Sequence, residues 1–387
     1  MPFMSRLTAA RVSLAALIAA TCPATTAAAS AATSPAATAG PAAVAHPSVL
    51  HSAPGPVPVD ARLAAGWLAR HFQPDGNLPA SAGEPGIDYL PLGIVALAAA
   101  RTGSAQIRAG IRFLESHFES YARVPASRTS TVDSPGRLAE VILAAVAAKA
   151  DPRTFGGRAP ANDLVARLLA TQAHSGPNAG LFGSPAAPTY STAYTQGLSL
   201  LALAAAGEPN RLGAGWLLRQ QCYGGGWESY RSSPIPCVAP DPAKFQGPDT
   251  NSTALAVEGL AATGMSPRHN PLPFFRRAQY PSGGFGYYGT DSAGQPADPD
   301  STAVVAQALL TLRRLAVTRR NGHNALAGLA AFQFRCGAPS FARGAYRYPG
   351  AAGPNLYATI QAIPAAAQVP YPVRPGPAFS KLPVEHC

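Results

Sequence analysis

QQCYGGGWESY, Gln220 to Tyr230, and AQYPSGGFGYYG, Ala278 to Gly289, are two copies of one element. Each reads Gln, two residues, a small residue, Gly-Gly and an aromatic, from Gln221 to Trp227 and from Gln279 to Phe285. Both continue through a turn-rich loop into D-x-[DN]-S-T-A, beginning at Asp249 and Asp298, and then into an alanine-rich apolar run. Self-similarity at a regular spacing is the mark of a repeat architecture. Weaker copies start at ATQAHSGPNAGLFGS (Ala170 to Ser184), AFQFRCGAPSFARGAYRYPG (Ala331 to Gly350) and LARHFQPDGNLP (Leu68 to Pro79). The most divergent starts at FLESHFESYARVP (Phe113 to Pro125). That makes six units with a period of roughly 45 to 60 residues.

Every unit follows one grammar. A first amphipathic helix, such as ARLAAGWLARHF (Ala61 to Phe72), ends near a glutamine, and a Gly/Pro/aromatic loop follows. The second helix is apolar almost all round, as in GLSLLALAAAG (Gly197 to Gly207) and TALAVEGLAATG (Thr253 to Gly264). A helix apolar on every side must be buried, whereas one with a polar face can lie outside. The expected fold is therefore all-α: a closed (α/α)6 toroid of six helix-hairpin repeats over residues 59–368. An open solenoid would normally carry polar capping repeats at its ends.

In register, Asp88, Asp133, Asp249, Asp298 and Asn355 form one column at the start of the buried helices, with Pro188 in the third unit. Asp and Asn are leading N-cap residues, because a side-chain oxygen satisfies an orphan amide. Proline follows Asp298 directly and recurs within the first turn at Pro91 and Pro135, where its missing N–H is harmless. The column is thus expected to cap helices.

The chain has 387 residues, 47% apolar and 13% charged, with a formal charge of +11 carried almost wholly by arginine. The densest basic group, Arg313, Arg314, Arg319 and Arg320, follows an apolar run, where cations complement a helix C-terminus. No basic stripe is interleaved with aromatics, so nucleic acid is not an expected partner. Arg6 and Arg11, the apolar VSLAALIAA (Val12 to Ala20) and a small-residue zone after it read as an export signal over 1–30. Its apolar core is too short to span a bilayer, and stable membrane insertion is not expected. Residues 31–58, rich in Ala and Pro, read as a disordered lead, and 369–387 as a C-terminal tail. The protein is expected to be secreted, where an even set of cysteines favours disulfides. Cys222 and Cys237 flank one loop and are expected to pair, leaving Cys336 with Cys387 to staple the tail. Cys22 sits between Thr21 and Pro23, a poor setting for lipidation. No Cys or His pair has the close spacing of zinc ligands, and neither a metal nor a cofactor is expected.

The Q-x2-[GS]-G-G-[WF] element resembles the repeat of the prenyltransferases and squalene-type cyclases, whose toroid is shared by the cobalamin carriers of the intrinsic-factor and transcobalamin type. The likeness covers residues 59–368 and implies the fold more than the activity, since one fold hosts many functions. In type II cyclases a D-x-D-D-T-A stretch supplies the acid that protonates an alkene. The resemblance makes Asp300 the corresponding candidate catalytic residue, but Ser301 stands where those enzymes carry a third acid. Protein prenyltransferases bind zinc through an Asp, a nearby Cys and a His, and no D-x-C occurs here.

Converging helix N-termini and loop aromatics make one rim a natural site. Tyr194, Trp227, Glu258, Phe285, Tyr287, Tyr288, Gln307 and Tyr346 are the candidate ligand-binding residues. Trp227 and Phe285, at equivalent repeat positions, read more readily as plugs between repeats than as ligand contacts. Glu140, Gln196, Glu258, Gln307 and Gln361 are polar residues inside apolar helices, which is costly unless they are hydrogen-bonded or face water. The expected function is a secreted, non-catalytic toroid binding a hydrophobic or amphipathic small molecule, isoprenoid- or corrinoid-like, at its central cavity. A cyclase-like or prenyl-transfer enzyme with a degenerate motif is the second reading. A module that meets the cell envelope or another protein is the third.

Overall fold

Among the described residues, twelve α-helices alternate in exposure. The computed structural model describes residues 58–79, 87–183, 192–229, 237–289, 296–316 and 318–374, all within one unit spanning 57–387. The signal and lead segments, Pro188, Tyr230 and Cys387 lie outside the described residues. The outer helices are α1 (Val59–Ala69), α3 (Ser104–Ala122), α5 (Leu164–Ala170), α7 (Arg211–Arg219), α9 (Leu272–Ala278) and α11 (Ala325–Ala330). The inner helices are α2 (Leu90–Ala99), α4 (Pro135–Ala147), α6 (Ala193–Ala205), α8 (Thr250–Ala262), α10 (Pro299–Thr311) and α12 (Leu356–Ala366).

Sequence dictates which helix goes inside. On α3, Ile107, Ile111, Leu114 and Phe118 recur at helical spacing and are buried, while Arg108 and Arg112 between them are exposed. On α8 the run Ser252–Leu260 is buried without a break. Small side chains let such helices touch closely: a Cβ on Gly197 of α6 would lie 2.2 Å from the Leu255 carbonyl oxygen of α8. Neighbouring inner helices pack in chain order from α2 to α12, and α12 packs in turn on both α2 and α1.

Two short antiparallel ladders modify the all-α expectation. β1 (Arg123–Pro125) pairs with β2 (Thr131–Asp133), and β3 (Trp227–Glu228) with β4 (Pro248–Asp249). The second ladder ties a loop aromatic to the residue that caps the next inner helix. Single bridges do the same for Phe285 with Asp298 and for Tyr346 with Asn355. A repeated threonine completes each joint, its hydroxyl accepting from the aromatic's amide: Thr253 from Trp227, Thr302 from Phe285 and Thr359 from Tyr346, all at 2.9 Å.

The repeated glutamine is a stitch to the next pair. Gln172 Nε2 donates to the carbonyl of Gly180 and to Asn210, the cap of α7. Gln221 Nε2 donates to the carbonyls of Gly225 and His269, the latter just ahead of α9. Gln333, in the sixth pair, donates to the carbonyls of Gly344 and of Asp60 in α1. Trp67 of α1 returns a bond to the Phe341 carbonyl at 2.7 Å. Gly344 holds φ +88, and a Cβ there would sit 2.4 Å from the Leu63 carbonyl oxygen of α1, so only glycine fits this seam.

The cap column holds at three positions and shifts at two. Asp249, Asp298 and Asn355 accept from the amides of Ser252, Ser301 and Ala358. Asp88 does not cap α2; Tyr89 occupies the cap position, and Asp88 is exposed. Asp133 does not cap α4 either. Pro135 opens that helix, so Ser134 is its cap, and Asp133 is drawn into β2 and an ion pair with Arg167 at 2.7 Å. In the third inner helix Thr192 caps α6 through a reciprocal box with Thr195. Cys222 and Cys237 form a disulfide. Cys336 is disulfide-bonded as well, and its expected partner Cys387 lies outside the described residues.

Candidate lumenal site

The inner helices surround one internal space, lined by Leu92 and Val95 (α2), Glu140 and Leu143 (α4), Tyr194 and Leu198 (α6), Leu255 (α8), Val304 (α10) and Gln361 (α12), with Tyr371 from the segment after α12. Every inner helix contributes. Six of these side chains form an apolar belt, and polar groups lie above and below it. The open space left between them is about 20 Å³, room for a water or two. Tyr371 is the one lining residue that no inner helix carries. A larger groove of about 470 Å³ lies between α3 and the Thr154–Gly157 turn, but it is a wide outer-surface hollow remote from the lumen.

Helical geometry sorts the two carboxylates of the DPDS stretch. Asp298 turns back to cap α10. Asp300, two residues on, lies on the stripe of α10 that continues through Val304 to Gln307, since residues three and four apart share a face. Tyr348 donates its hydroxyl to Asp300 Oδ2, and Oδ1 is buried without a partner. Burial holds the Asp300 carboxyl well above its ordinary range, with Asp298 reinforcing the effect. Asp300 also acts on Tyr194 and Tyr357.

On α8 the corresponding stripe is Asn251, Leu255 and Glu258. Glu258 is fully buried, and neither carboxyl oxygen has a partner; burial lifts it well above the carboxylate range. Its level, nine residues past the cap, matches that of Gln307, whose amide atoms are also buried without partners. Glu140 accepts from the Tyr121 hydroxyl of α3, and burial raises it to about 7. Asp249 is likewise raised to about 7 by burial. Burial raises Tyr194, Tyr357 and Tyr371 too, and lumenal acids push each further in the same direction.

The sequence-derived candidates separate into three groups. Tyr194 lines the lumen, and Asp300, Glu258 and Gln307 stand on its stripes. Tyr287 and Tyr288 meet edge-on, ring centroids 4.8 Å apart, near the cap of α8, and Tyr287 hydrogen-bonds to Asp249. Trp227, Phe285 and Tyr346 do not line the lumen. They are buried outward: the Trp227 indole donates to the Leu217 carbonyl of α7 at 2.8 Å, and Phe285 packs edge-on against Phe275 of α9. The physical reason is the threonine joint, which points each ring at an outer helix. Gln196 also turns outward, bonded to Gly180, Phe182 and Gly213. The ligand atoms of Cys222, Glu228 and Cys237 lie within 4.8 Å of one another, but the two sulfurs are consumed by the disulfide.

Tyr357 and Tyr371 were not among the candidates. Tyr357 stands two residues past its cap, as do Tyr194 and Asp300, and that offset was the available signal. Tyr371 belongs to no repeat and had none.

No family model matches the chain, and no curated protein matches it. Solved structures do. The type II terpene cyclase MstE from Scytonema is 15% identical with a TM-score of 0.52, over 80% of this chain and 96% of that one. A variant of that cyclase in complex with geranylgeranyl dihydroxybenzoate as substrate is 14% identical with a TM-score of 0.50, over 80% and 96%. An α-amylase from Clostridium perfringens is 9% identical with a TM-score of 0.51, over 80% and 98%. The fold is similar to the α/α fold of the type II terpene cyclases.

Proposed function

We propose that the six helix pairs close into an (α/α)6 toroid that is exported and binds an apolar or amphipathic chain of the isoprenoid class in its lumen, without turnover. One observation carries the reading: all six inner helices turn side chains into a single space with an apolar belt. The bonds from the sixth pair to the first, Gln333 to Asp60 and Trp67 to Phe341, support closure. The leader-like N-terminus and the disulfides support export, and no described helix is long and apolar enough to cross a membrane. A cyclase of the same fold takes a geranylgeranyl-bearing substrate, which supports the ligand class. With Tyr371 in place the open lumen is about 20 Å³, too small for a prenyl chain or a corrinoid, so any such ligand needs that side chain to move. The ligand enters by taking the place of Tyr371. Native mass spectrometry of protein purified from culture medium tests this: a stoichiometric lipid adduct supports it, and bare protein that takes up no prenyl alcohol overturns it.

A second reading, acid-catalysed cyclisation, is favoured by Asp300, whose carboxyl has one unpartnered oxygen and is raised by burial well above its ordinary range. A proton donor must hold its proton at working pH, and the shift of Asp300 runs in that direction. Incubation with prenyl substrates and analysis for cyclic products tests it, with Asp300→Asn as the inactive control.

A further inference from the structure

Resting on the lumenal-binding reading, we infer that the preferred ligand is a cationic amphiphile: an apolar chain bearing an amine, seated with its ammonium group against Glu258. Glu258 is fully buried, and both of its oxygens lack partners. It stands three residues past Leu255, which lines the lumen, on the same face of α8. After burial, the charge of Glu258 is the largest influence raising Tyr371, the side chain that the ligand displaces.

The surroundings point the same way. Tyr194 feels Glu140, Asp300, Glu258 and Asp249 at once, and no cation. The groups sharing the space are Tyr194 from α6, Asp300 from α10, Glu140 from α4, Tyr357 from α12 and Tyr371 from the tail segment. None of the lining residues is cationic. Arg137 is felt at Glu140 and Tyr121, but its guanidinium is turned to the Tyr121 carbonyl at 3.1 Å. A diphosphate would meet only acids here, whereas an ammonium would turn an unpaired buried acid into an ion pair. The lumen is therefore cation-seeking inside a chain whose formal charge is +11.

The chemistry has a proton signature. An amine with an ordinary pKa near 10 arrives as ammonium, and burial raises the Glu258 carboxyl well above its ordinary range, which favours its holding a proton before pairing. Pairing them drives the carboxyl proton into the buffer, with no other bond made or broken. Geranylamine, geraniol and geranyl diphosphate are titrated calorimetrically into the full chain at pH 6.5, in two buffers of different ionisation heat. Geranylamine is expected to bind at least tenfold tighter than geraniol, with about one proton released, and geranyl diphosphate weakest. In Glu258→Gln, an isosteric change, the amine preference should fall to near parity while geraniol binding persists. If geraniol or the diphosphate binds as tightly as the amine, or no proton is released, the inference fails and lumenal binding stands. If none of the three binds, even to a Tyr371→Ala variant, both fall.

Discussion

Tyr348, on the loop before α12, donates its hydroxyl to the Asp300 carboxyl at the start of α10, while Asp298, just before Pro299, caps that same helix. Two acids in one tripeptide thus do different work. Replacing Asp298 by alanine should cost ~1 kcal/mol of stability, the usual value for a lost N-cap. Asp88→Ala, at an exposed non-cap position, should change it by less than ~0.5 kcal/mol, as for ordinary surface sites. Urea midpoints of the two variants check the contrast, and equal losses would restore the five-membered cap column.

Asp300→Asn should leave the fold intact and raise its tolerance of alkaline pH, because the native carboxyl is destabilised in its charged form. Tyr348→Phe removes the one hydrogen bond that favours that charge, so the apparent pKa of Asp300 should rise further. Carboxyl-stretch infrared difference spectra across pH read both effects directly.

The buried acids set the slope of stability with pH. Glu140 titrates near 7 when folded and at 4.5 in its ordinary state, and the other lumenal acids are shifted in the same upward direction. A group raised in this way binds more protons folded than unfolded, so its contribution is full below about pH 4.5 and is lost as pH rises through 7. At roughly 1.4 kcal/mol per unit, Glu140 alone accounts for a loss on the order of 3 kcal/mol. Thermal unfolding at pH 5 and pH 8 should show a lower midpoint at pH 8, and Glu140→Gln should flatten the difference.

Gly344→Ala tests the junction of the last pair with the first. The added methyl meets the Leu63 carbonyl at 2.4 Å, whereas at Gly350, also at positive φ, it meets nothing within 4 Å. The Gly350 change should cost ~1 kcal/mol from backbone strain alone. The Gly344 change should cost clearly more and should loosen α1 first, seen as faster amide exchange there.

Tyr371→Ala should widen the lumen. Uptake of a fluorescent polyene should increase several-fold with little loss of stability, because a half-buried side chain from outside the helices is removed. Unchanged uptake would show that Tyr371 does not obstruct entry.

The helix pairs were legible because burial and periodicity repeat six times. The glutamine and glycine elements were visible as a pattern, but their job as stitches needed the partner atoms, which come from the following pair. The caps at Asp88 and Asp133 were misplaced because proline sets where a helix begins: Pro135 moved the cap of α4 one residue on, and Arg167, 34 residues away, captured the aspartate. Loop aromatics attract attention as ligand grips, yet Trp227, Phe285 and Tyr346 are steered outward by threonine hydroxyls whose direction no spacing rule reveals. Lumenal residues follow a different rule, the offset from the cap, and it fails only for Tyr371.

In the closed ring we propose, the Gln333 amide joined to the Asp60 carbonyl of α1 leaves the sixth pair no loose flank to which another could be added. Gain or loss of a helix pair would then have to break that joint and remake it at a new curvature. On that reading the number of pairs is guarded by the weakest of side-chain chemistries, a primary amide repeated until it meets its own beginning.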